Sequence, residues 1–114
     1  MALYYDLPVF KQTYELILEI FKITQNFPRE YKFTLGQDMK RDCLQLARSI
    51  YRANKCKDKA VYLEHFLDDF ELLKLEMRLC KDLGLLHLKA QTSLAVLMDS
   101  IGKQIIGWRN AARI

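Results

Sequence analysis

Between Lys59 and Leu83 the apolar residues Leu63, Phe66, Phe70, Leu73, Met77 and Cys80 are separated by 3, 4, 3, 4 and 3 positions. That spacing builds one continuous seam along an α-helix and scatters to both faces of a strand, so it makes this stretch a helix with one side in a core. The same stretch carries a second apolar stripe, Val61, Leu72, Leu75, Leu79 and Leu83, which lies roughly 140° to 180° around the cylinder. A single small bundle does not easily cover both sides. Either this helix is central and wrapped by the others, or its second stripe meets a neighbouring chain. In a monomeric four-helix bundle every helix keeps an exposed side, so the reading adopted is self-association, with Val61, Leu72, Leu75, Leu79 and Leu83 at the interface.

Three further helices flank this one. The first is expected from Pro8, a residue favoured in a first turn, to about Asn26, ahead of the Phe27-Pro28 break. Val9, Thr13, Leu16, Ile20, Ile23 and Phe27 recur along it. Phe10, Tyr14, Ile17 and Phe21 widen the apolar band beyond one seam, and they cover either their own neighbours or another subunit. The segment FPREYKF reads as a connection. Thr34 and Gln37 match a capping box, so the second helix starts at Leu35 and runs to about Lys55, with Asp58 as N-cap of the third. Gly84 closes the third helix as a C-terminal cap. The fourth runs from about Lys89 to Ala111 with Leu94, Met98, Ile101, Ile105 and Trp108 on one seam. Gly102 and Gly107 inside it are expected to mark close helix packing. The whole predicts an all-α, up-down antiparallel four-helix bundle occupying residues 1–114 as one domain.

At 114 residues the chain buries roughly 65% of the surface its unfolded form exposes, and it needs no disulfide to do so. Cys43, Cys56 and Cys80 are odd in number and lack C-x-x-C spacing, as suits reduced thiols in a cytosol. No zinc, other metal or cofactor is expected. The N-terminus MALYYDLPVF has no basic segment followed by an apolar core, and no apolar run approaches the length of a membrane span. A cytoplasmic protein is the expectation.

No catalytic residue emerges. Ser49, Ser93 and Ser100 fall inside helices, G-x-S-x-G is absent, and only His65 and His87 could act as bases. His65 and Asp69 form an i, i+4 pair without a third ligand, which reads as a surface polar pair. The glycines of GKQIIG have P-loop spacing, but Trp-Arg follows where Lys-Ser/Thr is required and no strand precedes.

Chemical content concentrates in charge. The net +4 divides into −1 over residues 1–28, +5 over 29–59, −3 over 60–86 and +3 over 87–114. On the second helix Met39, Cys43, Leu46 and Ile50 fall within about 60° of one another, while Arg41, Arg48, Arg52 and Lys55 gather on the opposite side. These four cations span about 20 Å, enough for several phosphates of one strand, and Tyr51 beside them can stack on a base. Carboxylates of a protein partner, or plain solvation, are the competing uses of such a stripe. Lys103, Arg109 and Arg113 make the end of the fourth helix basic, which fits either a ligand or the helix dipole.

Together, Lys11 through Phe27, the Phe27-Pro28-Arg29-Glu30 break, Leu35 through Arg41, the run FLDDFELLKLEMRLCKDLGLL and the tail IGKQIIGWRN resemble the four-helix accessory variability proteins of diversity-generating retroelements. Their relatives are small helical proteins encoded in intervening sequences of large-subunit rRNA genes. The sharpest motifs are the F-P-R/K-E break and G-K/R-x-x-x-G-x-W in the fourth helix. The resemblance implies a pentameric, barrel-like ring that is not an enzyme and works beside a reverse transcriptase, binding that enzyme and template RNA or DNA during mutagenic copying. The basic positions it carries over are Arg41, Arg48, Arg52 and Lys55, then Lys103, Arg109 and Arg113. A purely structural oligomer that binds acidic protein surface is the competing class.

Overall fold

The computed structural model describes residues 3–113. Four long helices carry the fold: α1 (Pro8–Thr24), α3 (Leu35–Lys55), α4 (Lys59–Asp82) and α5 (Leu88–Ala112), with a one-turn helix α2 (Arg29–Lys32) between the first two. A 3₁₀ turn at Tyr4–Asp6 precedes α1. Each long helix packs on two others in the cyclic order α1, α3, α4, α5 and back to α1. Neighbours run antiparallel. Met39 near the start of α3 meets Cys80 near the end of α4, Glu64 early in α4 meets Arg109 late in α5, and Gln12 early in α1 meets Gln104 late in α5. The result is a rod of 45 × 23 × 22 Å.

The core is made of the seams that the periodicity picks out. Leu63, Phe66, Phe70, Leu73 and Cys80 of α4 are buried against Met39, Cys43, Leu46 and Ile50 of α3, with Leu16 and Ile20 of α1 and Leu94, Ile101 and Ile105 of α5. Buried threonines cost little because Thr13 and Thr24 donate to the carbonyls of Val9 and Ile20, each at 2.8 Å. Burial raises the thiols of Cys43 and Cys80, to about 12 and about 11, so both remain protonated packing groups. All three cysteines are free.

Of the two arrangements open to α4, the central one is not adopted: the helix packs on α3 and α5 but makes no substantial contact with α1. The buried track also departs from a strict heptad: Glu76 is buried where Met77 is only half-buried.

The helix ends follow the expected caps at Gly84 and depart from them at Thr34 and Asp58. The α4 stop is a Schellman closure: the Leu85 N–H donates to the Cys80 carbonyl at 2.8 Å, and the Gly84 N–H to that of Lys81 at 3.1 Å. Gly84 sits at φ +73°, a conformation that side chains with a Cβ resist. The capping box at Thr34 does not form. Its hydroxyl donates backward to the Glu30 carbonyl at 2.7 Å, because α2 has put that carbonyl within reach and FPREYKF is not a plain connection. Asp58 occupies the N-cap of α4 without a side-chain capping bond. In its place Lys59 donates to the carbonyls of Ala53 and Asn54, at 2.8 and 3.1 Å, and closes the end of α3. Helix α1 ends at Thr24 rather than Asn26. Close packing explains Gly102, whose Cβ would meet the Phe70 ring at 3.4 Å, but not Gly107, which faces open space.

Candidate functional site

The two-sided pattern of α3 is realised in three dimensions. Its apolar side disappears into the core, and Arg41, Arg48, Arg52 and Lys55 all remain exposed along the outer flank. Their surroundings differ. Arg41 is the most engaged, at 3.3 Å from Asp38 and 3.5 Å from Asp42. Arg48 makes no ion pair among the described residues. The Arg52 guanidinium lies 5.9 Å from the centre of the Tyr62 ring. Lys55 lies 4.6 Å above the Tyr51 ring and 3.2 Å from its hydroxyl. Among the described residues, the members of the stripe without a carboxylate partner are therefore Arg48, Arg52 and Lys55, on one face over two turns.

The basic end of α5 does not join them. Arg109 and Arg113 converge on Glu64 of α4, with Arg109 at 3.3 Å, and tie the two helices together. Lys103 is held by Asp99, one turn before it, at 3.0 Å. Exposed pairs of this kind contribute about 0–1 kcal/mol and are readily given up to a ligand, but Arg109 is largely covered and acts as a strut.

Two groups near the stripe were not legible as parts of it. The first is aromatic: the N-terminal turn brings Tyr4 edge-on to Tyr51 at 5.2 Å and to Phe10 at 5.0 Å. Only Tyr51 was visible by helical spacing, since the turn at Tyr4–Asp6 carries no periodicity. The second is a buried acid pair, Asp42 on α3 and Glu76 on α4, each with one oxygen lacking a hydrogen-bond partner. Burial, a hydrogen bond with Asp42, and the charges of Asp42 and Asp38 push the Glu76 carboxyl up to about 8, opposed by Arg41. Near neutral pH Glu76 holds its proton and donates to Asp42. Burial, and then the charge of Asp42, likewise raise Asp69.

The apolar stripe of α4 is also out in solvent. Val61, Leu72, Leu75, Leu79 and Leu83 are 43–57% exposed. On the next flank an apolar groove of about 740 Å³ runs between α4 and α5, lined by Leu86, Leu88, Val96, Met98 and Ile106 together with Lys74, Lys81 and Lys103. Helix α1 divides its surplus apolar residues: Phe10 and Ile17 pack on the core, while Tyr14 and Phe21 are exposed.

Among the described residues no three His, Cys, Asp or Glu side chains are grouped as metal ligands, and no helix is long and apolar enough to cross a membrane. Fold and site together define a helical-bundle protein whose charged chemistry lies along the outside of one rod. The chain belongs to the bAvd-like family, whose model matches residues 8–112. No curated protein matches it.

Proposed function

We propose that this protein is a non-enzymatic accessory variability determinant of a diversity-generating retroelement. In this reading it binds template RNA or its cDNA through the outer face of α3 and associates with a reverse transcriptase during mutagenic copying. The observation that carries the reading is the bAvd-like match over residues 8–112. The exposed cations Arg48, Arg52 and Lys55 supply the chemistry: guanidinium and ammonium groups at helical spacing meet successive phosphates without reading sequence. Arg41 joins once Asp38 and Asp42 release it, and Lys103 and Arg113, in exposed pairs, form a secondary basic end beside Arg109, which stays on Glu64.

Assembly is the other half of the proposal. Val61, Leu72, Leu75, Leu79 and Leu83 present more apolar surface than a bundle leaves to water without a use for it, and copies of the chain are the occupants we assign to it. A pentameric ring would repeat the α3 stripe around its circumference and so multiply phosphate contacts.

Titrating a labelled RNA strand into the protein at increasing salt tests the binding half. With all four cations of the stripe on phosphates, log K falls with log salt at a slope of roughly −4 per subunit, and more steeply in an oligomer. An affinity indifferent to salt overturns the reading. Light scattering at micromolar concentration tests the assembly, and a mass near 13.5 kDa overturns it.

A further inference from the structure

Arg48 and Arg52 form a ridge with a groove on either side, and the two grooves differ in chemistry. The groove toward α4, about 280 Å³, is lined by Ser49, Tyr62, His65, Asp68 and Asp69 besides the arginines. The groove toward α1 and the N-terminal turn, about 420 Å³, is lined by the same two arginines with Tyr4, Phe10, Ala47 and Tyr51, and no carboxylate borders it. Its volume is within the range of small-molecule sites, which run from about 300 to 1,000 Å³. A phosphate chain lying on the ridge is repelled by Asp68 and Asp69 on one side and meets only aromatic rings on the other.

The rings are arranged as a shelf. Tyr4 packs edge-on against Tyr5, Phe10 and Tyr51, with centroids 5.0–5.3 Å apart, so each ring is held by its neighbours rather than by stacking. Tyr51 remains 42% exposed. The Lys55 ammonium lies 4.6 Å from the ring centre, a cation–π contact on an exposed side chain that a base can displace.

We propose that this shelf stacks an unpaired base while Arg48 and Arg52 hold the adjoining phosphates, which makes the α3 face a site for single-stranded rather than duplex nucleic acid. The inference rests on the nucleic-acid reading above and adds the strandedness of the ligand. A duplex offers a protein surface its backbone and base edges, whereas a tyrosine ring needs a base face, which only an unpaired nucleotide turns outward. Lys55 leaves the ring as the base arrives and moves to a phosphate, so its charge is redirected without loss of a partner.

The experiment compares a short strand containing 2-aminopurine with its duplex, at one salt concentration, on the full chain and on Tyr51→Ala, Tyr51→Leu and Tyr51→Phe. The single strand is expected to bind about tenfold tighter than the duplex, with quenching of the 2-aminopurine. Tyr51→Ala and Tyr51→Leu are expected to lose about tenfold in single-strand affinity together with the quench, as base–aromatic stacks do on truncation. Tyr51→Phe should retain both. The leucine variant keeps the apolar bulk under Tyr4, and thermal unfolding of each variant confirms that the bundle is intact. Equal affinity for the two forms, with Tyr51→Leu indistinguishable from the unsubstituted chain, overturns the stacking inference while leaving a phosphate-binding face in place. Absence of binding to either form overturns both.

Discussion

Helices α3 and α4 pack more extensively on each other than any other pair, yet they meet solvent in opposite ways. Helix α3 buries one apolar side and turns cations outward; α4 buries one apolar side and turns leucines outward. A charged face is satisfied by water and needs no partner for stability, so its function is open to any polyanion that arrives. A leucine face is unsatisfied in water, and its burial has to come from outside the bundle. The difference assigns the two tasks of the proposal, ligand on α3 and assembly on α4, to faces that can be altered separately.

The largest effect should come from the inner side of α4. Phe70→Ala empties space between α4 and Gly102 of α5 and is expected to cost about 3–5 kcal/mol of stability in denaturant unfolding. Leu75→Ala, five residues further along on the outer side, should cost under about 0.5 kcal/mol in the isolated subunit. If light scattering shows the Leu75→Ala and Leu79→Ala pair assembling as before, the outward leucines are not the contact.

The seam between the two helices carries the next effect. Glu76 holds its proton up to about 8 when folded, well above its ordinary carboxyl range, so folding favours the protonated form. Stability from this group is complete below the unfolded pKa, near 4.5, declines as pH rises above it, and is lost as pH passes through about 8. Glu76→Gln should therefore flatten the pH profile across that window and gain about 1–3 kcal/mol on its alkaline side, read by chemical unfolding at fixed pH values. An unchanged profile would mean that Asp42 and Glu76 are separately solvated.

A smaller effect is expected where α4 ends. Gly84→Ala meets no neighbouring atom, so its cost is conformational alone, about 1–2 kcal/mol for an alanine held at positive φ. A loss well beyond that would show that the turn also positions α5.

Much of this was legible in the residues. The 3-4 spacing gave the four long helices and almost every core side chain, because burial on a helix repeats with the turn. Capping was less legible. Thr34 and Gln37 have the right identities for a capping box, but a hydroxyl takes the nearest acceptor, and an unanticipated turn of helix at Arg29–Lys32 supplied one at Glu30. Glu76 and Asp42 are not legible because an acid at a seam position does not count toward an apolar pattern, although the pair is buried between α3 and α4. At the site, the α3 cations could be read from their angles, whereas Tyr4 could not: its contact with Tyr51 joins residues 47 positions apart through a turn without a repeat. The ion pairs of Arg109 and Arg113 with Glu64 were equally invisible, since they depend on α4 and α5 lying side by side.

The most direct test of the central claim is charge reversal at Arg48 and Arg52 together, with RNA binding and molecular mass measured on the same sample. Both residues are exposed on the outer side of α3, so Arg48→Glu with Arg52→Glu is expected to abolish salt-sensitive RNA binding while the oligomer keeps its mass. RNA binding that survives the double substitution, or an oligomer that falls apart because of it, would contradict the account.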